Sequence, residues 1–151
     1  MSHRIHLTNP RLLAEPAFRP PVFHTQQLSK PFISHAQRIF KYQYNIPLIL
    51  ITLGKDGSRA YYKDMKVEAA PFLQEKTIET TGAGDTFCAS SLNYVLEHGL
   101  EHGLDNLTEE NLKELLTFAN AAASLITTRK GALRVMSTKE EVLDFMKSRG
   151  C

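Results

Sequence analysis

Thr80-Thr81-Gly82-Ala83-Gly84-Asp85-Thr86-Phe87 is the stretch on which the reading of this chain turns. It follows a β-like run and opens a helix-like one. Two glycines let the backbone approach a ligand closely, and a carboxylate follows at once. A helix start offers free backbone N–H groups and a partial positive charge. Such a place holds phosphate. An aspartate there can also take the proton of an attacking hydroxyl. Anion cradle plus base points to phosphoryl transfer onto an alcohol. The alternative is an ordinary glycine-containing strand-to-helix turn.

Two familiar phosphate motifs are excluded by spacing. A Walker A loop needs a lysine directly after its last glycine, and Asp85 stands there. A dinucleotide fingerprint needs a third glycine three residues on, and that position is Phe87. Upstream, Ile51-Thr52-Leu53-Gly54-Lys55-Asp56-Gly57 ends an apolar run in a tight turn. That turn reads either as a plain hairpin or as a loop beside phosphates. Downstream come Phe118-Ala119-Asn120-Ala121-Ala122-Ala123 and Thr128-Arg129-Lys130-Gly131-Ala132.

Together, in this order and spacing, these stretches resemble the ribokinase/PfkB carbohydrate kinase family, with a mild likeness to fructokinases. The resemblance covers roughly residues 42–148 and does not extend over 1–36. It implies an α/β fold: a partial ribokinase-like, layered, Rossmann-like domain. It implies ATP as phosphoryl donor, magnesium arriving with it, and a sugar as acceptor. Backbone N–H groups of Gly82, Ala83, Gly84 and Asp85 would form the anion hole, with Asp85 the base. Thr52, Gly54 and Gly57 would border the nucleotide phosphates, and Asn120 the adenine. A monovalent cation such as K+ would sit mainly among backbone carbonyls at Glu79, Thr81, Ile126, Arg129 and Gly131. Glu79 stands where the family usually has aspartate, and Val135 where it has a small polar residue.

The family's chains are longer. Their first half supplies an opening glycine pair, most sugar contacts, a β lid and an Asn-x-x-Glu motif for magnesium, none of which occurs in residues 1–47. The chain therefore reads as the C-terminal half of such a kinase, lacking the N-terminal half and lid. A homodimer or a complementing N-terminal half would be its partner. The contrasting reading is a nucleotide-binding remnant or interaction module without turnover of its own.

Composition sets the remaining bounds. Hydrophobic residues make up 42% and charged residues 23% of 151, so one globular domain with a real core is expected. The net charge of +2 conceals a basic stretch at residues 1–41 and a mildly acidic remainder. No broad basic surface for nucleic acid is expected. No apolar run approaches the roughly 18 residues of a membrane span. Two cysteines, Cys88 and Cys151, build no disulfide framework and suit a reducing cytoplasm.

Five of seven prolines fall within residues 1–31, which read as a poorly ordered Pro/Arg-rich leader before a domain at 32–151. Ile33, Ala36, Ile39-Phe40 and Tyr44 suggest one helix face, ended by Pro47. The apolar run Leu48–Leu53 suggests a strand buried on both faces of a parallel sheet. Ser58 to Tyr62, Lys66 to Ala70 and Thr77 to Glu79 suggest further strands. A helix from Gly84 would turn Phe87, Ser91, Tyr94, Val95 and His98 to one side. Thr108 caps the next helix, whose stripe is Leu112, Leu115-Leu116, Ala119, Ala122-Ala123 and Ile126. Ser137-x-x-Glu140 suggests a capping box for a last helix with Val142, Phe145 and Met146 facing inward. The repeat Glu97-His98-Gly99-Leu100 and Glu101-His102-Gly103-Leu104 reads as a lengthened surface loop rather than a metal site.

Overall fold

The structure, a computed structural model, describes residues 38–40, 42–44, 46–98, 104–131 and 133–151. The leader at 1–31, the helix-face residues Ile33 and Ala36 and most of the Glu-His-Gly-Leu repeat lie outside the described residues. Arg38–Phe40 and Tyr42 are helical, in keeping with the second half of that face.

Three strands form one antiparallel sheet in the order β1-β2-β3: β1 at Leu48–Thr52, β2 at Ser58–Tyr62 and β3 at Met65–Ala69. Leu50 sits opposite Ala60, and Ala60 opposite Val67. The parallel arrangement expected for β1 is thus corrected. Its apolar run pairs with a hairpin partner on one side, and its residues are half-buried rather than enclosed. Strand β3 alternates as a half-buried strand should, with Val67 and Ala69 inside and Lys66 and Glu68 outside. The segment Thr77 to Glu79, expected as a strand, pairs with no strand among the described residues. Its amides bond to the end of a helix instead.

Helix α1 spans Ala83–Glu97, α2 Glu109–Ile126 and α3 Lys139–Ser148. Thr108 caps α2 as expected. Its hydroxyl accepts from the Asn111 N–H, and the Asn111 side chain accepts from the Thr108 N–H. The last capping box lies one residue later than expected, at Thr138 and Glu141. Doubling in Ser137-Thr138 and Glu140-Glu141 makes both registers fit the pattern. Glu141 prevails because its carboxylate serves both the Thr138 N–H and Arg129. Helix α1 stops at Glu97, and His98, just beyond it, is exposed and stacks on Tyr94 at 3.8 Å between ring centroids, on the side expected for it.

Helix α2 is the hub. It packs on α1, β2, β3 and α3. Leu112, Leu115, Leu116 and Ile126 are each at most 1% exposed. Burying such a side chain contributes about 1.5–3 kcal/mol. One apolar cluster joins α1 and α2 to the sheet, and a smaller one joins Ala121 and Ala122 to Val142 of α3. No described helix is long and apolar enough to cross a membrane.

Candidate functional site

The β1–β2 turn carries Gly57 at φ 86°. A Cβ there would lie 2.1 Å from the Ala69 carbonyl oxygen. This glycine is therefore demanded by the fold itself, because the turn is pressed onto the end of β3. The result brings Thr52, Gly54 and Gly57 to the rim of a cavity of about 390 Å³. Small-molecule sites usually measure about 300–1,000 Å³.

The opposite wall is the start of α1. Gly82, at φ 85°, is the N-cap and offers no side-chain cap. The Ala83 N–H donates to Thr80 O at 3.2 Å and the Thr86 N–H to Gly82 O at 2.8 Å. Among the described residues no acceptor serves the N–H of Gly84 or Asp85. Those dipoles are left for an anion. Gly84 lines the cavity, and a Cβ built on it would meet nothing within 4 Å. Glycine in a helix costs roughly 0.5–1 kcal/mol relative to alanine, so packing gives no reason for it here. What its missing side chain leaves is room at an anion-attracting helix start. The wall therefore fits a phosphate-bearing ligand.

Asp85 is placed differently. It is exposed and does not line the cavity. One residue after Gly84, it is turned by about 100° around the helix axis. Its charge still favours the first turn of α1.

The floor is a coil hung from α2 by side chains. Asn120 is 8% exposed and lines the cavity. Its amide nitrogen donates to the carbonyls of Ala69 at 3.3 Å and Ala70 at 3.0 Å. Ser124 donates to Phe72 O and accepts from Gln74 Nε2 at 2.9 Å. The carbonyl of Thr127 accepts from the Ile78 and Glu79 amides at 2.8 and 3.2 Å. Sequence reasoning missed Ser124, Thr127, Gln74 and Phe72 as cavity residues. Asn120, Ser124 and Thr127, at i, i+4 and i+7, form a polar file on an otherwise apolar helix face, which was the available signal.

Of the cation positions, Glu79 and Gly131 meet where this coil crosses the end of α2, and Ile126 and Arg129 meet in the turn that closes the helix. The Gly131 N–H donates to the Glu79 carboxylate at 3.3 Å, and Ile126 O accepts from the Arg129 N–H at 3.1 Å. Thr81, two residues on from Glu79, is exposed. Arg129 grips Glu141 with both terminal nitrogens at 3.0 and 3.3 Å, and reaches Val135 O at 3.3 Å. The guanidinium first, and the Thr138 N–H second, hold the Glu141 carboxyl below the usual carboxylate range. Among the described residues no group of three or more His, Cys, Asp or Glu side chains could hold a metal ion.

Comparison with known proteins gives a consistent picture. The profile of the family described as pfkB family carbohydrate kinase matches residues 29–139. A curated relative, probable fructokinase-2 of Arabidopsis thaliana, is 39% identical over 103 residues, covering 68% of this chain and 30% of its own length. A ribokinase of Arabidopsis thaliana, solved with ribose and ATP, superposes with a TM-score of 0.64 at 29% identity, covering 79% of this chain and 35% of its own. A ribokinase of Giardia lamblia gives a TM-score of 0.65 at 26% identity, over 76% and 38% respectively. The chain spans about a third of the length of these proteins. Its mixed α/β architecture is a partial ribokinase fold.

Proposed function

Because the chain belongs to the pfkB family of carbohydrate kinases, we propose that it carries the nucleotide-holding part of an ATP-dependent sugar kinase. The observation behind this reading is Gly84: a helical glycine without a packing reason, open to a cavity, beside two unserved N–H groups. The N–H groups of Gly84 and Asp85, with that of Gly82 before them, draw an anionic phosphoryl group to the helix start and hold its charge as transfer proceeds, while the Ala83 N–H is engaged by Thr80 O. Gly54 and Thr52 border the phosphates from the other rim. Asn120 positions the cavity floor through its two backbone bonds and borders the base. Asp85 takes the proton of the sugar hydroxyl from its exposed side of α1. ATP supplies the phosphoryl group, with magnesium bound to its phosphates. Fructose or a related ketose is the acceptor, supported by the name of the Arabidopsis relative. K+ near Glu79, Thr81, Ile126, Arg129 and Gly131 belongs to the same reading, as does a cytoplasmic setting that suits the exposed thiols of Cys88 and Cys151.

A second reading is nucleotide binding without turnover by this chain alone. It is favoured by Asp85 standing outside the cavity.

Calorimetric titration with Mg-ATP, in K+ and in K+-free buffer, tests the proposal. The wild-type chain is expected to bind, Gly84→Val to bind more than 10-fold more weakly, and Asp85→Ala to bind as the wild type does. A folded chain that takes up no ATP would overturn the kinase reading. Binding without phosphorylation of any sugar would leave the second.

A further inference from the structure

The hydrogen bonds on the cavity floor run in a fixed direction. The Phe72 carbonyl can only accept, so the Ser124 hydroxyl spends its one proton there. Toward Gln74 the hydroxyl then has only a lone pair to offer. It accepts from Gln74 Nε2 at 2.9 Å, and could not face the amide oxygen instead. The Gln74 amide is thereby held one way round, by a chain of bonds that starts at a backbone carbonyl.

The other polar side chains of the floor are spent. Asn120 Nδ2 donates to the Ala69 and Ala70 carbonyls, which uses both its protons. The Thr127 hydroxyl donates to Ser124 O at 2.7 Å. Gln74 is half-buried and lines the cavity. Its oxygen and its second N–H have no partner among the described residues. It is the one floor side chain that keeps both a donor and an acceptor for a ligand. Phe72 and Ala123, on the same floor, are apolar and can hold the face of any purine.

We propose that Gln74 tells one nucleobase from another and that Ser124 is the residue that positions it; this rests on the nucleotide reading above. A primary amide sets an acceptor beside a donor. That suits adenine, whose amino group donates next to a ring nitrogen that accepts. The 6-oxo purines, hypoxanthine and guanine, carry an acceptor where adenine has that amino group. An amide free to turn over would offer them its N–H instead. Turned over here, it would set its oxygen against the Ser124 lone pairs, and two acceptors would face each other unpaired. The fixed polarity therefore favours adenine and rejects the 6-oxo purines.

Calorimetric titration of the full chain with Mg-ATP and with the magnesium complex of inosine triphosphate tests this. The wild type is expected to bind ATP about 10-fold or more tightly than the inosine nucleotide. Gln74→Met keeps the length and removes the amide. Its two affinities should come within about 2-fold of each other, with the loss falling on ATP. Ser124→Ala frees the amide to turn over, so the ratio should shrink through a gain in inosine nucleotide binding. A merely loosened floor would weaken both nucleotides alike. If Ser124→Ala does not fold, Gln74→Met decides. Equal binding by the wild type, or a wild-type ratio kept in Gln74→Met, would overturn the proposal and leave the nucleotide reading standing. A folded chain that binds neither nucleotide would remove both.

Discussion

Two glycines a few ångströms from one cavity have opposite reasons to be glycine. At Gly57 a methyl group would strike the Ala69 carbonyl and the backbone is left-handed. Gly57→Ala is expected to destabilise the chain by about 3 kcal/mol or more, from strained φ and a backbone clash together. At Gly84 the methyl group would meet nothing and the backbone is helical. Gly84→Ala is expected to stabilise the unliganded chain by about 0.5–1 kcal/mol while weakening ATP binding. Thermal melts of the two variants, with and without Mg-ATP, check both signs. The sequence expectation set Gly57 and Gly84 alike beside phosphates. It could not separate the two, because the difference lies in what approaches each from a distant part of the chain.

At the scale of the element, α3 is tied to the end of α2 by one acid. Glu141 closes its own capping box and binds Arg129 bidentately. Its carboxyl is held below the ordinary value, by the guanidinium above all. An acid lowered on folding adds stability above its unfolded pKa, and that stability disappears as pH falls through the folded one. Glu141→Gln should therefore lower Tm at pH 7. The gap to wild type should close as pH drops below the usual carboxylate range. A Tm series from pH 7 to 3 for both proteins reads this directly. A gap independent of pH would mean that shape, not charge, joins the two helices. Helix existence and the apolar stripe of α2 were legible because their period is long and regular. The α3 start was misplaced by one residue because the sequence doubles both partners of the box. Thr77 to Glu79 was misread because its amides answer to a helix end, which no local pattern reveals.

For the whole molecule, stability rests on a core with α2 at its centre. Leu116, wholly buried, touches the cluster that joins both long helices to the sheet. Leu116→Ala should cost about 3 kcal/mol and lower Tm by roughly 10 °C, measured by calorimetry. Domains of this kind hold only about 5–15 kcal/mol in total, so the loss is large. The same scale explains why β1 was expected in a parallel sheet. Its unbroken apolar run is written for enclosure, and the described chain encloses it on one side only.

The coil from Ala70 to Glu79 has no repeating pattern of its own, yet its anchors fall at Asn120, Ser124 and Thr127, one turn apart along α2 and its C-cap. It borrows the period of a helix it merely crosses. Length changes are therefore unequal in their effect. None of the residues from Leu104 to Thr108 lines the cavity, so added length there leaves the anchors of the floor in register. A residue inserted between Asn120 and Thr127 rotates one anchor away from the next by about 100° and unhooks the floor. Such a helix is a ruler, and its tolerance for insertion is set by the coil that reads it.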